Sequence, residues 1–294
     1  MSDSIGLLAQ LTVNGIAVGA IYALVAMGIV LIHKATEVLN FAHGDLLVLS
    51  AFSAWALIEG AGLPFWLALP VVAAGAGLFA FALDAVVVRR IAGQPQFAGV
   101  MLTIGLAFML RGAVSMGFGT ESQSYATPWS GQTRSLAGVV VNELSLVILG
   151  VAMALAALLW LFFRRTRLGV AMQAASQNQL AAYLNGVPVK LLNSLVWGLA
   201  GVSAAVAGVF LAPLTLVDLS LWLITLKALA AIVLGGFGSL PGAVIGGILI
   251  GLIEQYGGVY LPDGLRDIVP YLVLIAVLVV WPRGLMGEAH GRRV

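Results

Sequence analysis

The chain reads as an all-α integral membrane protein: a polytopic helical bundle of eight or nine spans, with one short cytoplasmic helix and broken or re-entrant helices. Three observations lead there. Hydrophobic residues fill 61% of the 294 positions and charged residues 9%, whereas a soluble domain carries about 25% charged residues. Apolar runs recur at the length of roughly 20 residues that a bilayer crossing requires. The cations between those runs fall in alternate loops, as expected of a multi-pass protein. Mean hydropathy is +1.08. The 36 glycines suit close helix packing in lipid better than a soluble helical fold. The whole of 1–294 is read as a single transmembrane domain, since no loop is long enough to hold a water-soluble catalytic domain.

Taken in order, the spans fall at roughly 6–32, 41–59, 65–88, 98–117, 143–163, 189–211 and 266–282. The opening MSDS lacks the basic stretch and early cleavage site of a secretory signal, so the first apolar segment is expected to stay as a span. It carries Asn14-Gly15 and Gly19, small residues at a spacing that lets another helix approach, with Asn14 as a polar contact for substrate or helix. Apolar sequence at 222–258 is interrupted by Gly235-Gly236-Phe237-Gly238-Ser239-Leu240-Pro241-Gly242. That interruption either separates two short spans or breaks one in mid-membrane.

Charge sets the orientation. With nine spans, Lys34, Arg89, Arg90, Arg164, Arg165, Arg167, Lys190, Arg283, Arg292 and Arg293 share one side. The other side holds Asp3, Glu59, Glu121, Glu143, Asp218, Asp263 and Asp267, with Arg134 and Arg266 as its few cations. The positive-inside rule then places the loop at about 164–188 and the C-terminus in the cytoplasm. The polar loop at about 118–142 is external, with Tyr125 and Trp129 suited to an interface or a partner.

Two interruptions are candidates for function. Asn40-Phe41-Ala42-His43-Gly44-Asp45 opens the second apolar segment. Polar groups there are expensive to bury and usually face a cavity or partner. Gly44 offers conformational freedom, while Asn40 and Asp45 can accept backbone N–H groups at a helix start. The segment is either a discontinuity along a translocation path or a capped helix at the cytoplasmic interface. The second interruption contains Gly235, Gly236, Gly238, Ser239 and Gly242. From Gly238 to Gly251, glycines repeat at four-residue spacing, which forms a packing stripe or, alternatively, a mobile break. Arg111, Lys227 and Glu254 could snorkel, pair or line a path. Asp84 lies five residues before Arg89 and is expected to form a boundary salt bridge with it.

The polar loop at 164–186, RRTRLGVAMQAASQNQLAAYLNG, stands apart from the apolar chain. Three arginines open it and a short amphipathic helix follows. Val170, Ala174, Gln177 and Ala181 share one face, and Ala171, Ala175, Asn178, Ala182 and Asn185 an adjacent one. Such small-residue faces suit a groove on a partner better than a lipid surface. An interfacial helix would need more large apolar residues than Met172, Leu180, Tyr183 and Leu184.

Several chemistries lack their residues. There is no cysteine, hence no disulfide or thiolate ligand. His33, His43 and His290 are too scattered for a metal site. No GxxxxGK[ST] loop is present, so the chain does not hydrolyse ATP by that route. A hydrolase built on Ser239 and His43 has no orienting partner. Nothing points to nucleic acid.

Across these motifs the chain resembles the permease subunits of branched-chain amino acid ABC importers of the LivH type. The likeness rests on Asn14-Gly15, Ala20-Ile21-Tyr22-Ala23-Leu24 and Val38-Leu39-Asn40-Phe41-Ala42-His43-Gly44-Asp45. It continues through Arg167-Leu168-Gly169, Asn178, Asn185-Gly186-Val187, Ala207-Gly208-Val209 and Val233 to Ala243, ending at Trp281-Pro282-Arg283-Gly284-Leu285. The resemblance implies a non-enzymatic subunit in the bacterial cytoplasmic (inner) membrane. Its partners would be a second related permease, two cytoplasmic ATP-binding subunits and an external solute-binding protein. ATP and Mg would sit on the ATP-binding subunits, leaving no cofactor in this chain. The loop would be the coupling segment, with Arg164, Arg165, Arg167, Gly169, Gln173, Asn178, Asn185 and Gly186 as coupling residues. Relatives often carry a GRAxRA pattern where this chain has Gly169-Val170-Ala171-Met172-Gln173-Ala174, so docking should rely less on charge or use the three arginines. Translocation-path candidates are Asn14, Asn40, Phe41, His43, Gly44, Asp45, Gly235, Gly236, Gly238, Ser239 and Gly242. Branched-chain or related amino acids are the expected substrates. Alternatives are urea, short amides, aromatic acids or sugars within the family, and a self-contained channel or facilitator outside it.

Overall fold

The computed structural model describes residues 2–91, 93–136, 139–262, 265, 267–281 and 284–287. Asp263, Arg266, Pro282, Arg283, His290, Arg292 and Arg293 lie outside the described residues, as does the side chain of Asp3. The expected spans form helices α1 (Ser2–Thr36), α2 (His43–Trp55), α3 (Phe65–Val86), α4 (Gln96–Phe118) and α5 (Glu143–Arg165). The loop at about 164–188 holds α6 (Arg167–Gln177) and α7 (Gln179–Leu184), followed by α8 (Val189–Leu211), α9 (Ile224–Gly235), α10 (Leu240–Tyr260) and α11 (Val269–Val280). Among the described residues, six helices are long and apolar enough to cross a bilayer, and α9 and α11 are shorter. The glycine interruption therefore separates two helices and does not break one span.

The chain gathers into two compact units, Met27–Thr127 with Leu155–Leu223, and Met1–Ala26 with Pro128–Ala154 and Ile224–Val294. In the first, α8 is the central helix, packed by α2 and α3. Trp197, Ala200, Ala204, Ala205 and Ala207 on it have no exposure. Lipid tails are as apolar as leucine, so helices in a bilayer associate through close packing of small residues. That is how α3 and α8 meet. A Cβ on Gly201 would lie 2.6 Å from the Ala76 carbonyl oxygen, and one on Gly198 would lie 3.2 Å from the Gly77 oxygen. Gly208 likewise admits the Leu47 carbonyl of α2.

The segments beside the C-terminal end of α8 are tied down through side chains and backbone. The Tyr125 hydroxyl donates to the Val209 carbonyl at 2.7 Å, and Tyr125 is buried. Tyr125 therefore faces the interior and not an interface or a partner: its phenol satisfies a carbonyl near the end of α8. Gln123 and Val217 pair through both backbone groups. Asp218 accepts from the Ser220 N–H and the Ser122 hydroxyl, which holds its carboxyl below the usual range.

In the second unit, the expected glycine stripe meets a matching stripe. Gly247 and Gly251 of α10 lie against Gly15, Gly19 and Ala23 of α1, where a Cβ on Gly19 would sit 2.6 Å from the Ile248 Cα. Gly246 faces the Ala231 carbonyl of α9. Lys227, Glu254 and Asp267 form one ionic group, with Nζ at 2.9 Å from each carboxylate, and the Tyr22 hydroxyl donates to Glu254. Burying Lys227 and Glu254 is tolerable because they pair. The sequence reading missed a two-stranded hairpin here, β1 (Thr133–Leu136) against β2 (Val139–Asn142), with Thr133 opposite Asn142. Val139, Val140 and Val141 are β-branched, and Gln132 accepts the Glu143 N–H at its base.

The α3–α8 crossing generates a prediction. Gly201→Ala should destabilise the detergent-solubilised chain by about 1–3 kcal/mol through overpacking. Gly75→Ala, where a Cβ meets nothing within 4 Å, should be neutral or stabilise by up to about 1 kcal/mol. Thermal unfolding monitored by circular dichroism separates the two, and equal behaviour would contradict the crossing.

Candidate functional site

The Asn40–Asp45 interruption begins where α1 ends. Glu37 takes a left-handed conformation with φ 59° and its N–H bonds to the His33 carbonyl at 2.7 Å. The chain then runs without helix along α4. Gln96 Nε2 reaches the Glu37 carbonyl at 3.4 Å. Gly99 admits the Val38 side chain. The Thr103 hydroxyl accepts from Phe41 N–H at 3.3 Å and lies 3.2 Å from the Leu39 carbonyl, to which it can donate. Moving from Gln96 to Thr103 is about 10 Å of helix rise, so α2 starts within the depth of the α4 span.

At that start the expected caps are only partly used. Asn40 Oδ1 accepts the Ala42 N–H at 3.0 Å, as expected of an asparagine before a helix. Asp45 does not cap. Its carboxylate instead takes a two-pronged pair from Arg111 of α4, Nε at 2.9 Å and Nη2 at 3.2 Å. Asp45 is 1% exposed, so its charge requires a direct ionic partner. The guanidinium also stacks over Trp222, 4.2 Å from its ring centre, which draws residues 219–223 to the same point. Gly44 is ordinary buried helix, so its expected conformational freedom is not used. Phe41 is half-buried.

His43 is fully buried, and neither ring nitrogen has a partner among the described residues. Its ring occupies the notch left by Gly28, where a Cβ would collide with Cε1 and Nε2. Asn40 Nδ2 and Trp197 Nε1 are also buried without partners. Polar groups in that condition are the exception in folded proteins, so this polar cluster marks a place where α2 and α8 are not packed for stability alone.

The cytoplasmic segment is two helices, where the sequence reading had one. Thr166 caps α6 by accepting the Gly169 N–H at 3.0 Å, and Asn178, extended at φ −157°, ends α6 and caps α7 through the Ala181 N–H at 2.9 Å. Asn185 Nδ2 donates to the Ala181 carbonyl at 2.8 Å, and Gly186 leaves the helix at φ 82°. Only glycine passes that point without strain. Gly169 sits against the backbone of Phe162 and Phe163, where a Cβ would clash, so α6 folds tightly back on α5. Met172, Ala175 and Ala182 are buried. Arg164, Arg165, Arg167, Gln173 and Asn178 are exposed. So are Leu168, Val170, Leu180, Tyr183 and Leu184, the last two at 65% and 75%. The outward face therefore carries larger and more apolar side chains than the small-residue reading held, alongside the exposed Ala174 and Ala181, while Ala175 and Ala182 turn inward.

The glycine candidates form a tight turn between α9 and α10. Gly236 and Gly238 have φ of 107° and 85°. Ser239 caps α10 by accepting the Gly242 N–H at 3.1 Å. Gly235 and Gly242 touch backbone to backbone. The N–H groups of Leu285 and Met286 then bond the Leu234 and Gly235 carbonyls, both at 2.9 Å, so the tail closes the end of α9. Asn14 is half-buried on α1 and makes no side-chain hydrogen bond among the described residues. Asp84 does not pair with Arg89 directly. Ser194 stands between them, accepting from Arg89 Nη2 and donating to Asp84 Oδ2, each at 2.6 Å. Among the described residues no cluster of three potential metal ligands occurs.

Known proteins place this geometry. Residues 11–278 match the family described as branched-chain amino acid transport system / permease component. The high-affinity branched-chain amino acid transport system permease protein BraD of Pseudomonas aeruginosa is 30% identical over 97% of both chains. LivH of Escherichia coli, bearing the same description, is 27% identical over the full length of both. The galactofuranose transporter permease protein YtfT of Escherichia coli is 28% identical over 92% of this chain and 79% of its own. Among solved structures, PsaBC from Streptococcus pneumoniae in complex with Fab shares the fold, with TM-score 0.51, 15% identity and coverage of 93% and 91%. With its spans, its exposed two-helix loop and a match running nearly end to end, the chain belongs to the permease components of branched-chain amino acid transport systems.

Proposed function

We propose that this chain is a transmembrane permease subunit of an ATP-driven ABC importer in the bacterial cytoplasmic membrane, forming the path for branched-chain amino acids by alternating access. The observation that carries the reading is the family match over 11–278. The exposed α6–α7 segment supports it. Braced on α5 by Gly169 and capped at both helix starts, it offers an apolar, arginine-flanked ridge to a soluble partner. The partners are two cytoplasmic ATP-binding subunits, which hold ATP and Mg, a second related permease and an external solute-binding protein. Closure of the ATP-binding subunits would push α6 and α7. A ligand shifts such an equilibrium only by binding one state better than the other.

For a zwitterion, the path must replace lost hydration. The candidates are Asn14, whose side chain is unengaged, and the Asn40–His43 cluster, whose buried nitrogens lack partners. The interrupted backbone before α2 resembles the broken helices that build transporter sites. A sugar is the second substrate reading, favoured by the likeness to YtfT. Uptake of labelled leucine and of labelled galactose by cells with and without the gene distinguishes the two. ATP-independent transport by the purified chain alone in liposomes would overturn the importer reading.

Two further outcomes are expected. Leu184→Asp should leave thermal stability unchanged and weaken co-purification of ATP-binding subunits by about 2 kcal/mol, whereas Gly169→Leu should abolish uptake with the chain still in the membrane. Normal uptake in both would remove the coupling role. Arg111→Leu should destabilise the chain by about 3–5 kcal/mol, because Asp45 is left buried and alone. Adding Asp45→Asn should recover part of that loss in the same unfolding measurement.

A further inference from the structure

The cytoplasmic ends of α3, α7 and α8 enclose a groove of about 440 Å³. Its walls change character along its length. Phe81 and Ala85 stand one turn apart on α3, on the same face as Arg89, and Leu191 faces them from α8. Arg89 and Lys190 close the cytoplasmic end, with Tyr183 of α7 beside them. From Phe81 to Arg89 the groove climbs about two helical turns, roughly 11 Å. Its apolar end thus lies at span depth and its cationic end at the membrane boundary, the side that the arginine-rich loop places in the cytoplasm.

The charges at the open end are not consumed within the fold. Lys190 is exposed and its ammonium has no partner among the described residues. Arg89 uses Nη2 on the Lys190 carbonyl and Ser194, while its Nε is buried with no partner. The nearest carboxylate, Asp84, is buried and occupied by the Ser194 hydroxyl. A soluble protein could reach the cations but not the Phe81 end. Inorganic phosphate would satisfy the cations and leave the apolar walls empty. An amphiphile with an anionic head fills both.

We propose that this groove binds an anionic phospholipid of the cytoplasmic leaflet, its phosphate between Arg89 and Lys190 and the start of one acyl chain along Ala85, Phe81 and Leu191. Basic pockets between spans on the cytoplasmic side take such headgroups. Since Tyr183 belongs to α7, the lipid bridges the α6–α7 segment to the spans that carry it.

The test uses the full-length chain purified in neutral detergent, with native mass spectrometry and thermal unfolding as readouts. Phosphatidylglycerol should be retained and should raise the unfolding temperature more than phosphatidylcholine, with the difference shrinking at high salt. Lys190→Gln should weaken phosphatidylglycerol retention about five-fold, the loss of one surface cation contact. Arg90→Gln, an exposed cation outside the groove, should change it by less than about two-fold. Ala85→Phe should fill the apolar end and lower retention with both cations intact, so that a folding failure of one variant leaves the other decisive. Equal retention of the two lipids, equal effects of Lys190→Gln and Arg90→Gln, or full stabilisation by inorganic phosphate alone would overturn the proposal.

Discussion

Within a bilayer, every backbone N–H and C=O must find a partner inside the protein, and in this chain that requirement is met at its hardest point by α4. Residues 38–42 are not helical, yet they run beside a span. They are tolerable there because Gln96 and Thr103 bond their backbone and Gly99 leaves room for Val38. Asp45 and Arg111 complete the arrangement by fastening the first turn of α2 to the same helix. Without α4 the segment would expose bare peptide to lipid, α2 would not begin where it does, and His43 would not reach the notch at Gly28.

Both units solve the packing problem by the same device. Where helices need firm contact, glycines bring backbones together: Gly77, Gly198 and Gly201 between α3 and α8, and Gly15, Gly19, Gly247 and Gly251 between α1 and α10. Charge is used sparingly and in pairs. Lys227 with Glu254 and Arg111 with Asp45 each neutralise a cost that neither partner could bear alone. The exceptions are informative. His43, Asn40 and Trp197 keep buried polar atoms without partners among the described residues, as do Arg89 and Thr225, whereas most buried polar groups in folded proteins are bonded.

The 164–186 segment is held at capped joints. Its two short helices would be marginal in water on their own. Thr166 and Asn178 supply the missing N-terminal acceptors, and Gly169 allows α6 to press on α5 with no intervening side chain. Leu180 and Leu184 stay exposed on a segment that packs on α8 and, through Gly169, on α5.

Hydropathy determined the fold class and the order of the spans, because bilayer thickness acts on local sequence. The glycine spacing was also legible as a packing stripe, since a four-residue repeat fixes a helix face. What faces that stripe was not. Asp45 read as a cap until α4 brought Arg111 beside it, and Tyr125 read as suited to an interface or a partner until its hydroxyl met Val209. The helix of the loop read as one until Asn178 broke it, and the outward turn of its leucines depended on which alanines met α8. The Asp45–Arg111 and Tyr125–Val209 contacts join residues 66 and 84 positions apart along the chain. Periodicity tells which face of a helix is apolar; only the packed neighbours decide which polar atom is answered and which is left for function.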